Sequence, residues 1–194
     1  MILFALSVHR RLADALQEMG GFPHGAAAID RFSNGELRVE LHTAPDGSDC
    51  TVLGAVAPPD EHLLSTLLLG HTLKKEGARS VTACLPYLGY ARHDRPEPRK
   101  SRATAWLGSV LSASGVDAVV AIDVHSPLVH QLFPIPVRSL SPAALFAAEI
   151  AKLPLKEPVI VAPDEGAFER SEAVRRAAGI SRPLAQLEKT RTRE

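Results

Sequence analysis

The sequence has little cysteine, no net charge, no long apolar run and none of the commonest glycine-rich cradles. Each shortage excludes something. Only Cys50 and Cys84 occur in 194 residues, each inside an apolar, strand-like run. There is no Cys-x-x-Cys pair, and the two read as buried free thiols suited to a reducing compartment. No apolar run reaches the roughly 20 residues that a membrane-spanning helix needs. The opening MILFALSVHRR is apolar before it is basic, the reverse of a signal peptide. The expectation is a cytoplasmic protein with no membrane partner. Lys plus Arg number 22 and Asp plus Glu also 22, so the surface as a whole is not built to coat nucleic acid. Walker A, Gly-x-Gly-x-x-Gly and Gly-x-Ser-x-Gly patterns are missing. A nucleotide, if one binds, is not held by those devices.

What is present is an ordinary globular composition, 45% hydrophobic, enough for a sizeable core. The length fits one large domain or two small ones. Apolar runs at 2–8, 26–31, 50–55, 81–85, 118–122 and 159–161 read as strands, and 183–187 reads as a last one. Residues 37–41 alternate apolar and polar, a strand with one wet face. Helical spacing recurs at 12–19, from Pro59 to near Gly77, and over 103–114, 142–152 and 168–178. Strands alternating with helices imply an α/β fold: a mostly parallel sheet flanked by helices. Pro154 and Pro158 bracket a plausible linker.

Against this regular background, residues 86–102 stand out. PYLGYARHDRPEPRKSR holds five of the 22 basic side chains: Arg92, Arg95, Arg99, Lys100 and Arg102. Three prolines restrain it. A stiffened cationic loop after a buried strand is where open α/β sheets seat phosphate-bearing ligands. Taken alone it fits a solvated basic loop equally well. Two further strand tips carry polar groups that packing does not demand. Asp123-x-His125 could offer an imidazole ligand to a divalent cation, or simply a turn-capping histidine. Asp164 could meet Mg²⁺ or a ribose hydroxyl, or cap the next helix. The turn Phe32-Ser33-Asn34-Gly35-Glu36 sets an aromatic face and a carboxylate side by side, or is a plain hairpin turn. Convergence favours the functional reading, because tips of parallel strands share one edge.

These segments together resemble the ribose-phosphate pyrophosphokinase family. The carriers are FSNGE at 32–36, PYLGYARHDR at 86–95, KSR at 100–102, IDVHS at 122–126, FPIPV at 133–137, APDEG at 162–166 and EKTR at 188–191. Any one is weak; seven in order across nearly the whole chain are specific. The resemblance implies a type I phosphoribosyltransferase-like fold, with one full domain at 1–153 on the ATP side and a partial second at 154–194. It implies that Phe32, Asn34 and Glu36 contact adenine, commonly across a subunit interface. Arg92, His93 and Asp94 would contact ATP, with Arg92 aimed at the phosphates. Arg99, Lys100 and Arg102 would lie on the pyrophosphate side. His125 would be a Mg²⁺ ligand and a catalytic residue, Asp164 a carboxylate near metal and sugar, and Lys189 and Arg191 the catalytic-loop cations. The implied cofactor is Mg²⁺, with ATP as co-substrate. The implied partners are ribose 5-phosphate and further copies of the chain, as dimer or hexamer.

The chain departs from the pattern in places. His93 stands where the family usually has Gln, and bulky Phe168 where a small residue is usual. No Asp-Asp-x-x-Asp-Thr-Gly-Gly-Thr stretch occurs in the 194 residues. The expectation is therefore a first domain plus the opening β-α-β of a second, with the tail beyond Ala185 lacking fixed structure. The alternative function is a non-catalytic or truncated regulatory subunit. Nucleic-acid binding is disfavoured, since the cationic loop lacks interleaved aromatics.

Overall fold

The computed structural model describes residues 1–188. It divides into two compact units, Met1–Leu140 and Ser141–Glu194. The first is built on a five-stranded, wholly parallel sheet of order β1-β4-β5-β6-β7. These strands are β1 (Ile2–Ala5), β4 (Asp49–Leu53), β5 (Ser80–Leu85), β6 (Ala118–Ile122) and β7 (Val137–Leu140). Strands β2 (Ala27–Arg31) and β3 (Leu37–Leu41) form a separate antiparallel hairpin.

Side chains that alternate along each strand divide between the two faces. Phe4, Val52, Val81, Ala83, Leu85 and Val119 point into the main core with Leu69 and Leu73 of α2 (Glu61–Lys75) and Leu107 and Leu111 of α3 (Ala103–Ala113). Leu3 and Leu53 meet Ala13 of α1 (Arg10–Gly20) in a second cluster. Helices thus cover both faces, and each fully buried leucine contributes about 1.5–3 kcal/mol. Gly21, at φ 63°, ends α1 in the left-handed conformation that glycine tolerates best.

Strand ends differ from the sequence expectation for a shared reason. β1 stops at Ala5, not Val8, because its partner β4 stops at Leu53, not Ala55. The last link is Leu6 N–H to the Leu53 carbonyl (3.1 Å). Ala55 then turns away and donates to the buried Thr66 Oγ1 (3.1 Å). β7 and the one-turn helix α4 (Val129–Leu132) were not anticipated.

The second unit holds α5 (Ala143–Ile150), α6 (Phe168–Ala177) and a two-stranded parallel sheet of β8 (Val161–Ala162) and β9 (Ala185–Gln186). Helix α5 packs on α6, and the division by packing falls at 140/141. For its first residues the tail expectation is corrected: Gln186 lies in β9, and Leu187 N–H donates to the Ala162 carbonyl (2.9 Å); for 189–194 it lies outside the described residues. Among the described residues no helix is long and apolar enough to cross a membrane.

Candidate functional site

At the carboxyl end of β5, Leu85 pairs with Ala121 of β6, and the chain leaves the sheet at Pro86. Leu88 and Ala91 are buried and pin the departing loop to the core. Gly89 lies against the backbone after β4, where an added Cβ would sit 2.4 Å from the Val56 carbonyl oxygen. Tyr90 then takes φ 59°, a left-handed conformation that costs a side-chain-bearing residue roughly 1–2 kcal/mol. Three contacts offset that cost. The Tyr90 carbonyl accepts from Thr104 Oγ1 (2.9 Å), its hydroxyl donates to Asp60 Oδ1, and its ring meets Trp106 edge-on at 5.9 Å. The bond to the Asp60 carboxylate raises the phenol's pKa above its ordinary value.

Held this way, the loop encloses a cavity of ≈150 Å³ lined by Arg92, His93, Asp94, Arg95, Glu97, Lys100 and Ser101. Lys100 Nζ pairs with Glu97 (2.5 Å), which lowers the Glu97 pKa. Among the described residues the guanidinium groups of Arg92, Arg95, Arg99 and Arg102 have no ion-pair partner. Asp94 is 8% exposed, and among the described residues none donates a hydrogen bond to its carboxylate. The cavity therefore carries cationic hydrogen-bond donors with open valence, the chemistry that takes polyanions. Arg99 and Arg102 lie on the loop but not on the cavity lining.

The β6 tip begins at the same level, since Leu85 and Ala121 are in register. Asp123 adopts φ 49° while its N–H donates to the Leu140 carbonyl (3.0 Å). Val124 N–H reaches Ser139 Oγ (3.3 Å), and Ser126 Oγ accepts from Leu128 N–H (3.2 Å) at the start of α4. His125 is exposed between these anchors. Two residues of left-handed backbone, Tyr90 and Asp123, thus mark adjacent strand tips, the kind of outlier that gathers at functional sites.

The turn between β2 and β3 is closed by Phe32 N–H to the Glu36 carbonyl (2.9 Å) and by Asn34 Oδ1 accepting from Glu36 N–H (3.1 Å). Phe32 is half exposed, with the Arg38 guanidinium 5.6 Å from its ring centroid. Arg38 is itself held by Asp30 (2.9 and 2.7 Å). In the second unit Asp164 caps a 3-10 turn, its Oδ1 accepting from Ala167 N–H (3.0 Å). Lys189 and Arg191 lie outside the described residues. The structure thus brings Arg92, His93, Asp94 and Lys100 around one cavity and sets His125 on the neighbouring tip.

Residues 1–115 match the model of the N-terminal domain of ribose phosphate pyrophosphokinase. The chain belongs to the ribose-phosphate pyrophosphokinase family. It is 31% identical over 191 residues to the ribose-phosphate pyrophosphokinase of Bacillus caldolyticus, covering 97% of this chain and 60% of that protein. With the Ralstonia nicotianae ribose-phosphate pyrophosphokinase it shares 30% over 195 residues, 98% of this chain and 61% of the relative. The crystal structure of phosphoribosylpyrophosphate synthetase from Mycobacterium smegmatis superposes with a TM-score of 0.89 at 29% identity, covering 98% of this chain and 65% of the other. The chain therefore spans about 60% of the length of the curated relatives it matches.

Within this pyrophosphokinase fold, residues that the sequence reading passed over support the loop. Tyr90 and Thr104 shape it, and Asp60 holds it from α2. The one available signal was an acidic residue directly before a helix, which ordinarily reads as a cap. Among the described residues no group of three or more His, Cys, Asp or Glu could hold a metal ion. The donor set fits Mg²⁺ only as that ion enters many phosphate sites, keeping waters and leaning on the phosphates with one or two protein contacts.

Proposed function

We propose that the chain works on ATP and ribose 5-phosphate as a ribose-phosphate diphosphokinase, with residues 1–153 forming the ATP side and 154–194 opening the sugar side. The observation that carries this reading is the set of guanidinium groups, without carboxylate partners among the described residues, at the carboxyl edge of β5. In the reaction the C1 hydroxyl of ribose 5-phosphate attacks the β-phosphorus of ATP. The bond from that phosphorus to the oxygen of the α-phosphate breaks, the hydroxyl proton is lost, and AMP leaves. Such transfers depend on positioning and on cations around spreading negative charge.

In this reading Arg92 holds the phosphates, while His93 and Asp94 contact the nucleotide. Arg99, Lys100 and Arg102 face the pyrophosphate. Phe32 stacks on adenine, with Asn34 and Glu36 bonding its edge. His125 and Asp164 are the protein contacts of Mg²⁺, which when bound neutralises part of the triphosphate charge. Lys189 and Arg191 supply further positive charge. Assembly as a dimer or hexamer of like chains belongs to the same proposal.

The test is incubation of the 194-residue chain with Mg-ATP and ribose 5-phosphate, following AMP and phosphoribosyl pyrophosphate. AMP and phosphoribosyl pyrophosphate formed in equal amounts support the reading, and failure of the chain to bind Mg-ATP sinks it. The second reading is a non-catalytic or truncated regulatory subunit of this family. Co-elution with a catalytic homologue on size exclusion supports it, and separate elution sinks it.

A further inference from the structure

The first turn of α2 carries two adjacent carboxylates, and neither is used as a helix end ordinarily uses them. Asp60 occupies the N-cap position, yet its side chain makes no bond to the helix amides. It accepts the Tyr90 hydroxyl instead. Glu61 accepts from Arg31 Nη2 at 2.6 Å. Arg31 Nη1 donates at the same time to the Gly35 carbonyl, inside the turn between β2 and β3 (2.5 Å). One planar guanidinium therefore bridges that turn to the helix.

Two segments far apart in sequence, residues 32–36 and 90–94, are thus each one side-chain link from the same peptide unit. We infer that Asp60 and Glu61 couple these two segments, acting with Arg31 and Tyr90 as positioning residues that hold the turn and the cationic loop in a fixed relation. Its functional meaning rests on the nucleotide reading above; the mechanical link does not. A shift of the turn pulls on Glu61 and moves the backbone of Asp60. That loosens the hydroxyl bond that helps hold Tyr90 at its left-handed φ, two residues before Arg92. Residues joined through one such network respond non-additively to substitution, and a coupling claim needs that demonstration.

The experiment is hydrogen exchange on the full chain, comparing wild type with Tyr90→Phe, Glu61→Ala, the double variant, Asp60→Asn and Asp60→Ala. We expect Glu61→Ala to speed exchange several-fold in 32–36 and also in 90–94, and Tyr90→Phe to do the same in both. The double variant should exceed neither single at the far segment. Asp60→Asn keeps an acceptor for the hydroxyl and should stay near wild type, whereas Asp60→Ala should match Tyr90→Phe. Each variant loosening only its own segment overturns the proposal. Exchange in β4 and β5 reports general unfolding; should Tyr90→Phe fold poorly, Asp60→Ala reads the same link from the other side. Calorimetry with Mg-ATP on the same proteins separates the two ideas. Cross-loosening without any Mg-ATP binding by wild type sinks the nucleotide reading alone, and binding without cross-loosening sinks the coupling alone.

Discussion

The two ends of the parallel sheet in the first unit treat charge in opposite ways. At the amino ends of its strands, charged groups close on one another. Arg79 holds Asp49, which also accepts from Ser80 Oγ (2.6 Å). Lys74 holds Asp117 (2.8 Å), whose second role is to accept the Val81 N–H (2.7 Å) and so begin β5. At the carboxyl ends of the same strands, Arg92, Arg95, Arg99 and Arg102 find no carboxylate among the described residues. An edge that serves only the fold neutralises itself. The opposite edge leaves its charge open, and in the proposed reading that charge meets the triphosphate.

The sharpest break of this contrast is Arg92→Ala. It should cost Mg-ATP binding about 1.5–3 kcal/mol, the range for hydrogen bonds to charged groups, and leave thermal stability unmoved. Isothermal calorimetry beside a melting curve checks both halves. The mirror-image change, Asp117→Ala, should cost about 1–2 kcal/mol of folding stability, discounted for exposure of the pair. It should leave Mg-ATP affinity unchanged; a large loss of affinity would erase the division of labour. Inorganic triphosphate should raise the melting temperature of the wild type, and that rise should fade toward about 1 M salt, where screening reaches the contact distance. The smallest effect is acid sensitivity at the amino edge. Hydrogen bonds from Arg79 and then Ser80 hold the Asp49 carboxyl below its ordinary range. The stability this adds is full above about pH 4 and is lost as pH falls through the depressed value. Melting curves between pH 5 and strong acid should therefore be flatter for Arg79→Gln than for wild type.

How much of this could be seen in the chain's letters depends on the kind of interaction. The buried strands β5 and β6 are continuous apolar runs, and α2 carries its leucines at helical spacing, so both were legible. β7 was not: it is an edge strand, and Arg138, Ser139 and Leu140 are exposed, so no apolar run marks it. α4 is one turn long, too short to show a period. The cationic loop announced itself through local charge and proline. The link from Asp60 to Tyr90 did not, because its partners lie 30 residues apart and no periodicity joins them. Asp60 before a helix reads as a cap, and only the fold reveals that its carboxylate is engaged elsewhere.

The exposed basic loop also has a practical side. Trypsin cleaves after Arg and Lys but not before Pro, so it meets scissile bonds after Arg92, Arg99, Lys100 and Arg102, while Arg95-Pro96 resists. Exposed loops are where nicking concentrates. A polyphosphate lodged in the cavity should shield this stretch, so the ladder of fragments with and without it becomes a footprint of occupancy that needs no turnover at all.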